Sequence, residues 1–162
     1  MRKISKSNGK EYLELAYEYV QELAKIEKDT HMSKATSDIM YFGYLQDSKI
    51  DNIGFYVKDN LVGFMLIEKV SEKDAPFTHF VMETYVKPEY RRRNFVKDAI
   101  TEYMRNNRIK HIGYVVLPNN TVADEAWIKI FKDAGFNIHI DSSKFPDKFE
   151  DCKCYIADYI HP

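Results

Sequence analysis

Three consecutive arginines, Arg91-Arg92-Arg93, stand between a run that reads as extended chain and a run that reads as helix. The extended run, Glu83-Thr84-Tyr85-Val86-Lys87-Pro88, ends at a proline that cannot continue a strand. The helical run begins within Asn94-Phe95-Val96-Lys97-Asp98-Ala99. The first turn of any helix carries amide N–H groups with no partner inside the helix, together with a partial positive charge. Guanidinium groups beside such an end make an anion site suited to phosphate or pyrophosphate. On charge alone the competing reading is a solvated basic loop. Upstream, Glu83 supplies a carboxylate on the strand that leads into the loop. A carboxylate within reach of a bound group, directly or through one water, can take a proton from it. The competing reading of Glu83 is an exposed strand residue paired with a lysine.

Other chemistries find little support. The two cysteines, Cys152 and Cys154, fall two apart on an extended run, too close along one strand to bridge, and read as reduced thiols of a cytoplasmic protein. Two thiols without a nearby histidine pair do not complete a tetrahedral zinc shell, so no metal is expected. His31, His79, His111, His139 and His161 are scattered without ligand spacing. There is no serine nucleophile elbow and no glycine-rich loop ending in Gly-Lys-Ser/Thr. A net charge of -1 argues against binding nucleic acid through overall charge. No apolar run reaches the length of a membrane span, and no apolar segment follows the basic start Met1-Arg2-Lys3, so neither a membrane anchor nor a signal peptide is expected.

The elements that must position these residues follow from periodicity. With 162 residues, 44% of them hydrophobic and 14% aromatic, the chain suits one globular domain spanning residues 1–162, with a substantial β component. After a short first strand, apolar residues three and four apart (Leu13, Ala16, Tyr17, Val20, Leu23 and Ala24) predict a helix over about Asn8–Glu27, capped by Ser7 or Asn8. A second helix is predicted over Ser33–Leu45, with Ile39, Met40 and Phe42 among its apolar residues. The period then changes to extended. Ile53–Val57 and Leu61–Val70 form a hairpin through Lys58-Asp59-Asn60, where Asp and Asn tolerate turn angles. A strand over His79–Lys87, a helix over Phe95–Asn106 and a strand over His111–Leu117 come next. A helix capped by Asn120 or Thr121 runs to Asp133 and ends at Gly135. Phe136–Ile140 and Cys152–Ile160 are the last strands. A strand-helix-strand unit after an antiparallel meander predicts an α/β (α+β) fold: a mixed, mostly antiparallel sheet of six to seven strands with helices on both faces.

The junction resembles the coenzyme-binding signature of the acetyl-CoA-dependent N-acetyltransferase (GNAT) superfamily, in which strand-Pro-x-Tyr-Arg precedes a Gln/Arg-x-x-Gly-x-Gly/Ala loop. Val86-Lys87-Pro88-Glu89-Tyr90-Arg91 matches the lead-in, and Arg91 fills the Gln/Arg position. The two glycine positions hold Asn94 and Val96. Asn119-Asn120 before a helix and Ala134-Gly135-Phe136 after it resemble the family's second signature, and the element order matches from the first strand to the last.

The resemblance implies acetyl transfer from acetyl-CoA, as cosubstrate, to a primary amine by direct nucleophilic attack. It implies Glu83 as general base. Charge compensation for the phosphates would come from Arg91, Arg92, Arg93 and Lys97, and backbone N–H groups of Arg93, Asn94, Phe95, Val96 and Lys97 would hold the pyrophosphate. Main-chain bonds of Tyr85 and Val86 would align the pantetheine arm, and Asn120 would contact the coenzyme. Backbone amides near Glu83–Val86 would steady the thioester carbonyl, and such placement contributes roughly 7–11 kcal/mol toward the barrier. The family's helix tyrosine, which protonates the departing thiolate, falls on Phe131 or Trp127, neither of which can do so; Tyr90, Tyr114 and Tyr155 are the substitutes left open. The acceptor would be a small molecule or a peptide amine, and many members are homodimers, a state left open here. Asn94, Val96 and Phe131 motivate a second reading, an inactive copy of the fold acting as a binding or structural module. A third has the arginines contacting RNA or DNA.

Overall fold

The computed structural model describes residues 2–4, 8–27, 31–71, 73–146 and 149–159. Its elements are β1 (Arg2–Lys3), α1 (Gly9–Ile26), α2 (Lys34–Gln46), β2 (Ile50–Val57), β3 (Asn60–Lys69), β4 (His79–Val86), α3 (Phe95–Asn107), β5 (His111–Val116), α4 (Thr121–Asp133), β6 (Phe136–Ile140) and β7 (Lys153–Tyr159). Strand pairing follows the order β1-β2-β3-β4-β5-β7-β6 in a seven-stranded mixed sheet, as the element order predicts. The pairs β1–β2, β5–β7 and β6–β7 are antiparallel. The strand-helix-strand unit gives the parallel pair: His79, Phe80 and Val81 of β4 face Ile112, Gly113 and Tyr114 of β5.

The chain divides into two compact units, Met1–Ile67 with Glu83–Arg93, and Glu68–Met82 with Asn94–Pro162. In the first, β3 is buried at every position from Leu61 to Ile67 rather than at alternate ones. Both of its faces are therefore covered, which is why its sequence reads as a continuous apolar run. Phe64, fully buried, is met edge-on by Tyr12 and Tyr19 of α1 and by Tyr41 of α2, with centroids 5.5, 5.8 and 6.1 Å away. This edge-to-face geometry suits aromatic quadrupoles. In the second unit Tyr114 of β5 lies between rings, 4.9 Å from Tyr155 of β7 and 5.0 Å from Phe131 of α4, with Phe77, Phe80 and Phe145 forming a further cluster.

Several expectations move. The buried stripe of α1 is Tyr12, Leu15, Ala16 and Val20, whereas Leu13, Tyr17, Leu23 and Ala24 are only half-buried. Two overlapping apolar stripes exist on this helix, and burial falls on the one bearing Tyr12 and Leu15. On α2 the buried residues are Tyr41 and Ser37, while Ile39 and Phe42 are exposed at 76% and 53%. Asn8 takes the N-cap place of α1 but its side chain makes no capping bond, and Ser7 lies outside the described residues. In the hairpin turn the left-handed residue is Lys58 (φ 56°), not Asp59 or Asn60. Of the two candidate caps for α4, Asn120 does the capping: its side chain accepts from the Ala123 amide at 3.2 Å. Gly135 ends that helix with φ 83°, as expected. Cys152 and Cys154 are free thiols, and no helix among the described residues is long and apolar enough to cross a membrane.

Candidate active site

Glu83 stands on β4 with its carboxylate turned toward the aromatic packing of the first unit. The hydroxyl of Tyr41 donates to its Oε2. Burial raises the carboxyl from its ordinary 4.5 to about 7, against the opposing effect of the Tyr41 bond, which favours the charged form. The exposed, lysine-paired reading of Glu83 does not survive this environment. A carboxylate poised near neutral pH suits general base work, because half of it is ionised where the cell operates. Tyr12 and Tyr19 feel the same charge, and burial together with Glu83 pushes both phenols well above their usual range.

Two residues farther along β4, Tyr85 packs against Tyr19 and Phe64. β3 approaches this part of β4 closely. A Cβ added to Gly63 would sit 2.5 Å from the Tyr85 carbonyl oxygen and 3.1 Å from the Val86 Cα, so only glycine fits.

The arginines divide their work. Arg91 Nη2 lies 2.6 and 2.7 Å from the two carboxylate oxygens of Glu22, and Nε donates to the Val86 carbonyl at 2.8 Å. Its guanidinium thus ties the loop to α1 and to the end of β4, and its charge is already partnered. Glu22 is thus the partner of the Arg91 charge expected to compensate phosphate. Lys87 pairs with Glu18 at 3.4 Å on the same helix. Arg92 and Arg93 are exposed, with Arg93 5.2 Å over the Tyr90 ring. Arg92 has φ 63°, a left-handed angle that non-glycine residues adopt at some cost. Tyr90, one of the substitute acids left open by the sequence, lines an open groove with Glu11, Glu14, Glu18 and Lys87.

In the second unit, Asn94 precedes α3 with φ 60° and ψ 9°, a conformation asparagine tolerates where the signature has glycine. Its side chain makes no capping bond, and the first intrahelical bond runs from the Asp98 amide to the Asn94 carbonyl at 2.8 Å. The amides of Phe95, Val96 and Lys97 therefore precede the helical ladder, as an anion site requires. Val96 and Lys97 are half-buried. Asn120 is placed at the start of α4, its carboxamide oxygen engaged in the cap described above.

The aromatic positions of α4 are structural. Phe131 is fully buried and stacked on Tyr114, and Trp127 stacks 5.4 Å from both rings. Among the substitute acids, the Tyr114 hydroxyl is enclosed with no hydrogen-bond partner among the described residues, and burial drives its pKa up. Tyr155 donates to Asp124 at 2.5 Å, and burial, with this bond next, pushes it up to about 12. Burial alone would raise Asp124, but bonds from Lys153 and Tyr155 hold its carboxyl low. His111 and His139 both face Asp158, at 2.7 and 3.4 Å, and His79 stacks edge-on to Tyr103. Among the described residues, no group of three or more His, Cys, Asp or Glu could hold a metal ion.

Tyr41 and Glu22 escape a sequence reading altogether. Each acts on a residue 42 or 69 positions away, and no local pattern marks either.

No curated protein sequence matches the chain. Among solved structures, PaiA N-acetyltransferase from Thermoplasma acidophilum, determined with coenzyme A, aligns over 98% of this chain and 97% of its own, at 16% identity and a TM-score of 0.68. Diaminobutyrate acetyltransferase EctA from Paenibacillus lautus, determined with L-2,4-diaminobutyric acid and coenzyme A, aligns over 99% and 95% at 17% identity and 0.63. A GNAT-family acetyltransferase from Staphylococcus aureus Mu50 aligns over 98% of both chains at 15% identity and 0.65. At such identities the likeness is one of fold. The model of the acetyltransferase (GNAT) family matches residues 10–136, most of the chain. With that match and the seven-stranded mixed sheet in hand, the chain belongs to the acetyltransferase (GNAT) family.

Proposed function

We propose that this chain transfers the acetyl group of acetyl-CoA to a primary amine by direct attack, with Glu83 as the general base. Family membership supports acetyl transfer. The observation that carries the finer reading is the Glu83 carboxyl, enclosed among tyrosines and raised to about 7. Glu83 takes a proton from the ammonium form of the acceptor. The freed nitrogen lone pair forms the C–N bond at the thioester carbon, the C–S bond breaks with its electron pair going to sulfur, the nitrogen gives its surplus proton to water, and the thiolate is protonated. Phe131 and Trp127 have no hydroxyl to give that proton, so water or another group supplies it.

Coenzyme A fits the residues present. The uncapped first turn of α3, preceded by left-handed Asn94, offers N–H groups to the pyrophosphate, and Arg92, Arg93 and Lys97 add positive charge. Arg91, tied to Glu22, stands in the same loop and adds its charge toward the phosphates. The Tyr85 and Val86 main chain aligns the pantetheine arm, and Asn120 contacts the coenzyme. The acceptor is a small-molecule or peptide amine, the protein is cytoplasmic, as its free thiols suit, and residues 1–162 act as one domain.

Calorimetric titration with acetyl-CoA, followed by thiol release in the presence of diaminobutyrate, spermidine and a short peptide, tests the reading. Saturable heat and release of free coenzyme A thiol with at least one amine are expected. No heat at millimolar acetyl-CoA removes the enzyme reading. Binding without turnover favours the inactive module, the reading that Phe131 motivates.

A further inference from the structure

The carboxylate of Glu83 is not held symmetrically. Oε2 accepts the Tyr41 hydroxyl, while Oε1 accepts no hydrogen bond among the described residues. Tyr41 itself has nowhere to go. It is 1% exposed, and its ring is met edge-on by Tyr12 at 6.1 Å, Phe64 at 6.1 Å and Tyr44 at 5.5 Å. A phenol fixed this firmly directs its O–H along one line, and a rotamer change would break three aromatic contacts at once.

We infer that Tyr41 is a positioning residue for Glu83: its hydroxyl anchors Oε2 and leaves Oε1 as the atom that takes the acceptor's proton. The inference rests on the reading of Glu83 as the base.

Two consequences follow from the geometry. A carboxylate with one oxygen pinned cannot rotate about its terminal bond, so the accepting lone pairs of Oε1 keep a single direction. That spares part of the entropy of orienting the base for each turnover. The same bond also stabilises the ionised form, because a phenol donates to a carboxylate better than to a carboxylic acid. The groups that feel the Glu83 charge are Tyr12 and Tyr19 from α1 and Tyr41 from α2, with Tyr44 and Phe64 packed on the Tyr41 ring. Tyr12, Tyr19 and Tyr41 are phenols pushed upward by burial, so none of the three ionises in the working range to compete with the carboxyl. Burial pushes the Glu83 carboxyl upward, and the Tyr41 bond is the effect that works against it.

The test is a titration of Glu83 read by NMR in protein labelled with 13C at glutamate side-chain carboxyls, the Glu83 signal assigned by its loss in Glu83→Gln. It needs no acceptor. In Tyr41→Phe the Glu83 pKa should rise by about one unit, a tenfold change in proton affinity. Replacing Tyr41 with 3,5-difluorotyrosine, a more acidic and stronger donor of the same shape, should move it the opposite way, which keeps the test available where Tyr41→Phe does not fold. Tyr44→Phe should leave it in place. In turnover, Tyr41→Phe should lose about tenfold at pH 6 and recover toward the wild-type rate near pH 9, a pattern that general loosening of the site does not give. An unmoved Glu83 pKa in both Tyr41 variants overturns the inference. A wild-type rate in Glu83→Gln overturns the base reading instead, whatever the titration shows.

Discussion

Glu83 is governed by two opposed effects, and their balance sets both rate and stability. Desolvation favours the neutral acid; the Tyr41 hydroxyl favours the anion; desolvation is the larger and leaves the carboxyl at about 7. Glu83→Gln should therefore slow turnover by about 100-fold or more while leaving acetyl-CoA affinity, measured by calorimetry, unchanged. The same shift has a sign in stability. The folded pKa of about 7 exceeds the ordinary 4.5, so the unfolded chain releases its proton first as pH rises. The contribution of Glu83 to stability is then greatest below about pH 4.5, falls between 4.5 and 7, and stays lower above that. Gln carries no charge and keeps an oxygen for Tyr41. In denaturant melts Glu83→Gln should be more stable than the wild type by on the order of 2 kcal/mol at about pH 8, with the gain fading toward pH 5. A variant less stable at pH 8 would show that burial does not penalise this charge.

At the scale of elements, the ends of α3 and α4 separate function from stability. α3 starts at left-handed Asn94 and stops at left-handed Arg108, with φ 60° and 53°. Nothing about the chemistry needs Arg108, which is exposed beyond the last turn. Arg108→Gly should raise stability by about 0.5–1 kcal/mol, seen as a higher Tm, because glycine takes this angle without strain. Asn120 works in the other direction. Asn120→Ala should cost about 1 kcal/mol through the lost cap, and Asn120→Asp should restore it. Should Asn120→Asp melt like the wild type yet bind acetyl-CoA more weakly, the residue contacts the coenzyme as well as capping the helix. The same element scale explains Gly63, where alanine would drive a methyl into the Tyr85 carbonyl.

For the molecule as a whole, net charge is -1, so attraction for a polyanionic coenzyme has to be local. Saturating acetyl-CoA should raise Tm, by the equivalent of about 2.7 kcal/mol at a hundred times Kd, and 0.5 M salt should weaken that rise. Arg92→Ala with Arg93→Ala should reduce the rise, whereas Arg91→Ala should lower Tm even without ligand, since it breaks the tie to Glu22. The sequence alone determined the element order, the sheet class, the strand-loop-helix junction and Glu83 as the candidate base. These are written in short-range signals: apolar period, proline and glycine stops, and a motif within one stretch of chain. Tertiary structure alone decided which of two apolar stripes α1 buries, that α2 turns Tyr41 inward and leaves Ile39 and Phe42 out, that Arg91 pairs with Glu22, and that the Glu83 carboxyl is raised by burial. Each of those outcomes depends on a partner dozens of residues away, and the free energy that selects it, from burial or from a hydrogen bond, exists only once the two segments have met.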